Sequence, residues 1–213
     1  MGPNLEYHRG PMMGPGFEYD RGPMMGPGYG PRVGPLTAAE PLTVEAARQA
    51  AQAYLEDLNI DGLELGEVMI FDNNAYVVVR ETSSGLGAFE LLVDPISQTA
   101  YPEHGANMMW NQKYGAVNHA AMMGRWHLQQ DAAPADVSAE MTLNEAAARV
   151  KAQAYLDSAK DGAQLSAHGT TFYGYYTFDY EVDGEPAGML SVNGFSGAVL
   201  PHHWHGTFIE EAE

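Results

Sequence analysis

The chain has 213 residues, enough for one or two domains with cores of their own. Its 28 acidic and 10 basic residues give a formal net charge of −18, which excludes a basic surface for nucleic acid. There is no cysteine, so disulfides, thiolate zinc sites, iron–sulfur clusters and covalently attached c-type haem are excluded. No apolar run reaches the ~18–20 residues of a membrane span, so we expect no membrane-spanning helix.

Residues 1–40 are predicted to form an extended arm. Its stretch LEYHRGPMMGPG is followed directly by FEYDRGPMMGPG, and a shortened third copy follows. Glycine and proline disfavour a helix or regular sheet, while the Met pairs and aromatic residues recur as anchors. We expect the arm to dock on another copy of the chain. The predicted contact residues are Tyr7, Arg9, Met12, Met13, Phe17, Tyr19, Arg21, Met24, Met25 and Tyr29.

The Met pairs of the arm also allow a second interpretation. Thioether sulfur is a ligand that Cu(I) prefers. Adjacent residues of an extended chain point to opposite sides, however, which weakens the case for two neighbouring sulfurs on one ion. Docking is therefore favoured over copper binding for these pairs, and both stay open.

The rest of the chain contains a duplication. LTVEAARQAAQAYLEDL (42–58) and MTLNEAAARVKAQAYLDSA (141–159) are predicted helices that share AQAYL. In the second, Thr142 and Glu145 have the spacing of a capping box. The first helix precedes predicted strands at 63–71, 75–81 and 87–95. The second precedes a predicted half-buried strand at 171–182, with Phe172, Tyr176 and Phe178 on its inner face, and then a hairpin at 187–201 that turns at Asn193.

The hairpins carry a family resemblance. VNGFSGAV (192–199) resembles the Val-Asp turn, Thr-Gly and strand of the PepSY domain, and VDPISQ (93–98) matches its first half, with Gln98 in place of glycine. The resemblance covers roughly 42–104 and 141–205. It implies an α+β fold of two PepSY-like units, each one helix packed on a small antiparallel sheet. It also implies a secreted or periplasmic protein without a catalytic residue, and we expect a mature chain whose leader has been removed.

These patterns divide the chain into four parts. The arm, 1–40, precedes unit one at 41–105, a connector rich in Met, His and Trp at 106–140, and unit two at 141–213.

Histidines near the end of each unit are the candidate metal ligands. PHHWHG holds three imidazoles; in an extended strand His203 and His205 share a face and His202 points away. Imidazole suits Cu, Ni or Zn. A further ligand must come from elsewhere, such as His168, His104 or an acid. YPEHG of unit one aligns His104 with His205, since both precede a glycine. The full set of metal candidates is His104, Met108, Met109, His202, His203 and His205.

Three functions are compatible with these features, and none is enzymatic, since no P-loop, GxSxG or HExxH pattern occurs. The first is a secreted structural protein that self-assembles through its arm. A head-to-tail contact of this kind produces a filament when the subunits do not close into a ring. In this interpretation a metal ion can also join the subunits. The second is an envelope protein that binds copper or another transition metal. The third is a PepSY-type protease inhibitor or chaperone.

Overall fold

The computed structural model describes residues 40–123 and 134–213. All ten predicted contact residues of the arm lie outside these ranges, so that prediction stays untested. The elements in chain order are α1 (Val44–Leu58), β1 (Leu63–Phe71), β2 (Ala75–Glu81), β3 (Gly87–Asp94), β4 (Thr99–Pro102), α2 (Ala106–Met109), α3 (Gly115–Met122), α4 (Glu145–Ala159), β5 (Ala163–Thr171), β6 (Tyr175–Val182), β7 (Glu185–Asn193), β8 (Val199–Pro201) and β9 (Phe208–Ala212). The fold class is α+β, as predicted.

The first sheet is antiparallel, with strand order β4-β3-β2-β1-β9. Helix α1 begins after Thr43, whose Oγ1 accepts a hydrogen bond from the Ala46 N–H. Its buried stripe runs through Ala47, Ala51 and Leu55 at a spacing of four, so this face packs against the strands. The predicted strands β1, β2 and β3 are confirmed to within one residue.

The second sheet is also antiparallel, with order β5-β6-β7-β8, and α4 covers one of its faces. The residue that caps α4 is Asn144, whose Oδ1 accepts from the Ala147 N–H at 2.9 Å. The predicted capping box of Thr142 and Glu145 is therefore wrong, because the chain enters the helix two residues after Thr142. Strand β5 was not predicted: it is a mostly polar edge strand without alternation.

The single strand predicted at 171–182 is interrupted. Thr171 ends β5, and Gly174 lies in the turn at a φ of 108°, a conformation that glycine adopts readily. Phe172 stacks on Tyr175, with ring centroids 4.7 Å apart. Phe172 therefore does not share the face of Tyr176, as the alternation had suggested.

Both faces of β6 are buried where the strand begins. Tyr176 and Phe178 face α4, while Tyr175 and Thr177 lie on the opposite face and are 0% and 3% exposed. The prediction of a half-buried strand is wrong here because a second layer covers the outer face. That layer is the first sheet.

The molecule therefore has four layers, helix–sheet–sheet–helix. One core lies between α1 and the first sheet, a second between α4 and the second sheet, and a third between the two sheets. The middle core contains Met69, Phe71, Tyr76, Val78, Leu92, Ala106, Phe172, Tyr175 and Met189. Side chains from both halves of the chain thus share one interior.

The turns that end β3 and β7 have the same structure. The side-chain oxygens of Asp94 and Asn193 each accept from the backbone N–H groups two and three residues further on. Gln98 has a φ of 51° and Gly197 a φ of 71° at the equivalent place. Gln98 therefore adopts the left-handed conformation that glycine adopts in unit two, and the two turns do not differ.

The C-terminal strand joins the first sheet rather than the second. Strand β9 pairs with β1, and Phe208 packs edge-on against Phe71 with ring centroids 6.1 Å apart. Residues from the predicted second unit thus complete the sheet of the first. No helix in the described ranges is long and apolar enough to cross a membrane.

A buried carboxylate ties three parts of the chain together. Glu81 accepts from Lys113 at 2.6 Å, Tyr114 and Tyr173 at 2.7 Å each, and Ser84 at 2.8 Å. Burial alone would raise the pKa of Glu81, but these hydrogen bonds outweigh it and lower the pKa to about 2. We call this group the Glu81 clasp. It fixes the connector and the second sheet onto β2.

Candidate metal centre

Three potential metal ligands meet between the two sheets: Glu103, His202 and His205, called here the buried triad. Their ligand atoms all lie within 4.8 Å of one another. Glu103 directly follows β4, and His202 directly follows β8. The triad therefore unites two positions that are 99 residues apart in sequence.

The first two members occupy equivalent positions in the two sheets. Pro102 pairs with Leu91, which lies three residues before the turn residue Asp94. Pro201 pairs with Leu190, which lies three residues before the turn residue Asn193. The next residues, Glu103 and His202, both donate a backbone hydrogen bond to the neighbouring strand. The predicted alignment of His104 with His205 is thus wrong: the register aligns Glu103 with His202.

The geometry places both imidazoles against one carboxylate oxygen. Glu103 Oε1 lies 3.1 Å from His205 Nε2 and 3.5 Å from His202 Nδ1. The exposed fractions of the three side chains are 0% for Glu103, 0% for His202 and 2% for His205. Neither of these two imidazole nitrogens has a hydrogen-bond partner among the described residues. Such buried unpaired nitrogens cost about 1–3 kcal/mol each unless something binds them.

The protonation of the His205 ring follows from its neighbour. The Asn74 amide donates from Nδ2 to the Trp204 carbonyl at 3.1 Å, so its Oδ1 is free to accept. His205 Nδ1 lies 3.1 Å from that oxygen and must carry the hydrogen. In the neutral ring, Nε2 is then a lone pair directed at Glu103. A second polar group that orients a histidine in this way is typical of metal ligands.

His202 is held at its other nitrogen as well. Its Nε2 lies 2.9 Å from Ser191 Oγ, and its ring stacks on the Trp204 indole with centroids 4.6 Å apart. Trp204 donates from Nε1 to Glu103 Oε1 at 2.8 Å. His205 stacks on Phe71 with centroids 4.5 Å apart. Aromatic rings and hydrogen bonds therefore fix all three side chains, so the triad is preorganised.

Burial keeps the triad neutral in the absence of an ion. Desolvation raises the pKa of Glu103 to about 8, against the hydrogen bond from Trp204 Nε1 that lowers it. Desolvation likewise lowers the pKa of His205 to about 4 and that of His202 well below its usual range. Neutral imidazoles are the form that binds a metal.

Two of the predicted ligands, His202 and His205, are members of the triad, and the others are not. His104 is half-buried beside it and packs on Trp204 with ring centroids 4.2 Å apart. His203 is exposed, because residues 202–207 form a turn and loop and not the extended strand that would put it beside His205.

The two predicted thioether ligands lie on α2, outside the triad. Met109 is 61% exposed there, and Met108 offers its backbone carbonyl to His119. His168, the other histidine considered, is exposed on β5.

Glu103 was the functional residue hardest to find from sequence. The sequence allows an acid as the third ligand, but the chain has 28 acidic residues and no local pattern distinguishes Glu103 among them. The available signal was the repeated proline at the ends of β4 and β8. Aligning Pro102 with Pro201 makes Glu103 and His202 equivalent positions of the two repeats.

Comparisons with known proteins give little beyond the geometry. No protein-family model matches the chain, and no curated protein matches it. Among solved structures, the Bacillus megaterium YpeB C-terminal domain matches at 12% sequence identity with a TM-score of 0.36. The match covers 75% of this chain and 65% of that one. A TM-score this low carries no argument about function.

Proposed function

We propose that this protein binds a divalent transition-metal ion at Glu103, His202 and His205, and that the ion joins the two halves of the molecule. The observation that carries the proposal is the convergence of His202 Nδ1 and His205 Nε2 on one buried carboxylate oxygen, at 3.5 and 3.1 Å. Without an ion, the single proton of a neutral Glu103 can satisfy at most one of these two nitrogens, and the other lone pair stays buried and unpaired. A metal ion satisfies all three groups at once.

The donor set favours ions of intermediate softness. Two imidazoles and one carboxylate suit Zn(II), Cu(II) or Ni(II). The triad offers nitrogen and oxygen donors, whereas Cu(I) prefers sulfur, and the two predicted thioether ligands, Met108 and Met109, lie on α2. If the protein binds copper at this site, we therefore expect Cu(II) and not Cu(I).

The ion is proposed to be structural rather than catalytic. All three ligands are almost fully buried; Glu103 directly follows β4, and His202 and His205 lie in the segment that follows β8 of the facing sheet. An ion here links the sheets directly and leaves little access for a substrate. In this proposal the protein is not an enzyme, belongs to the PepSY-like proteins, and works outside the cytoplasm.

Self-assembly through the arm remains a separate prediction, because its contact residues lie outside the described ranges. The protease-inhibitor or chaperone alternative likewise stays a prediction. Neither conflicts with a metal-joined body.

Titration calorimetry with ZnCl₂ on the full chain, stripped of metal with a chelator, tests the proposal. We expect one zinc ion per chain and a rise in the melting temperature on loading. Glu103→Gln and His205→Asn should each lower the affinity at least tenfold. The matched control is His203→Asn, which changes an exposed imidazole two residues from His205. Equal losses in His203→Asn and His205→Asn, or no binding by the unmodified chain, would overturn the proposal.

A further inference from the structure

A line of buried hydroxyl groups leads away from His202 to a carboxyl that is not in the triad. Ser191 Oγ lies 2.9 Å from His202 Nε2 and 2.9 Å from Thr177 Oγ1. Thr177 in turn donates to Glu90 Oε1 at 2.8 Å. Glu90 is 0% exposed. The line therefore crosses from the second sheet, which carries the two hydroxyls, to β3 of the first.

The direction of each hydrogen bond follows from the far end of this line. Glu90 Oε1 accepts from both Tyr76 and Thr177, and its Oε2 accepts from Tyr175. Oε1 lies 2.8 Å from two hydroxyl groups, so we assign any proton on Glu90 to Oε2, the oxygen with a single hydroxyl neighbour at 2.7 Å. With this assignment Oε1 is an acceptor, and the one hydroxyl hydrogen of Thr177 is committed to it. Thr177 can then only accept from Ser191.

The same reasoning reaches the imidazole. Since Ser191 donates its single hydrogen to Thr177, its oxygen must accept from His202 Nε2–H. The neutral ring then has its lone pair on Nδ1, the nitrogen that faces Glu103 at 3.5 Å. In the opposite tautomer, Nδ1–H would point into the centre and block an ion.

We propose that the relay Glu90–Thr177–Ser191 positions His202 for metal binding by holding it in the Nε2–H tautomer. Thr177 and Ser191 are positioning residues: they contact no ion and act only through His202. This inference rests on the proposed metal site, but its effect on the tautomer exists without a metal. The two can therefore fail separately.

The test compares Thr177→Val with Tyr76→Phe in the full chain. Both remove one hydroxyl donor from Glu90 Oε1, but only Thr177 belongs to the relay. In Thr177→Val, Ser191 is free to donate to His202, which favours the Nδ1–H tautomer. Two measurements apply: ¹⁵N chemical shifts of the His202 ring in the metal-free protein, and the zinc affinity.

We expect Nε2–H in the unmodified chain and in Tyr76→Phe, and a shift toward Nδ1–H in Thr177→Val with a zinc affinity about tenfold lower. Ser191→Ala, which removes the last link, should also lower the affinity and serves where Thr177→Val does not fold. An unchanged tautomer and affinity in the relay variants would overturn the inference, as would an equal effect of Tyr76→Phe. Failure of the unmodified chain to bind zinc would refute the metal site, while the ring shifts would still decide the relay.

Discussion

The Glu81 clasp predicts a specific loss of stability on acidification. The hydrogen bonds from Lys113, Tyr114, Tyr173 and Ser84 lower the pKa of Glu81 from 4.5 to about 2. At roughly 1.4 kcal/mol per pKa unit, and with a discount for solvent screening, we expect the ionised clasp to stabilise the fold by about 2–3 kcal/mol at pH 7. Because the folded pKa is depressed, this contribution is present above pH ~4.5 and is lost as the pH falls toward 2; about half remains near pH 3.

Glu81→Gln removes the charge and keeps the shape of the side chain. We expect it to lower the free energy of unfolding in urea by about 2–3 kcal/mol at pH 7 and by about half as much at pH 3. The matched control is Glu64→Gln, an exposed residue of β1 in the same sheet, which should change stability by less than about 0.5 kcal/mol. A loss below about 1 kcal/mol at pH 7, or one that does not shrink on acidification, would refute the reasoning.

Three further predictions concern single positions. Gln98→Gly should raise the free energy of unfolding by about 0.5–1 kcal/mol by relieving the left-handed backbone, while Gly197→Ala in the equivalent turn should lower it by about 1 kcal/mol, both read from urea denaturation. Burial, with nearby acidic side chains, raises the pKa of Asp179 to about 8, so stability should fall as the pH rises from about 4 to 8; Asp179→Asn should make that decline shallower in a pH series of melting curves, with the share due to Glu103 remaining. Gly105 has a φ of 92°, and a Cβ there would lie 2.7 Å from the Trp204 ring, so Gly105→Ala should cost about 1–3 kcal/mol and weaken zinc binding in calorimetry; unchanged zinc binding would contradict this packing.

Helix α1 and strands β1, β2 and β3 could be predicted because each has a hydrophobic pattern within its own segment. The stripe through Ala47 and Ala51 identifies α1, and the alternating and β-branched runs identify β1, β2 and β3. The edge strands β5 and β9 were missed, since exposed strands carry no apolar alternation. The turn at 94–98 could be predicted from the resemblance of VDPISQ to the Val-Asp turn of the PepSY domain, although Gln98 stands in place of glycine at the left-handed position.

The site could be predicted only in part, because it depends on how the two sheets pack. His202 and His205 were candidates, but their pairing required a loop at 202–207 that an extended strand did not suggest. Glu103 and Ser191 meet them through contacts across 99 and 11 residues. The buried outer face of β6 also depends on the packing of the two sheets. From the sequence alone Thr177 is expected to face solvent, but in the structure the first sheet covers it.

The most direct test of the metal centre is anomalous diffraction from zinc-loaded crystals, recorded on both sides of the zinc absorption edge. Our account predicts one strong peak between the sheets, about 2.0–2.2 Å from a Glu103 carboxylate oxygen, His202 Nδ1 and His205 Nε2. A peak confined to exposed histidines such as His203 or His168, with none at the buried triad, would contradict it.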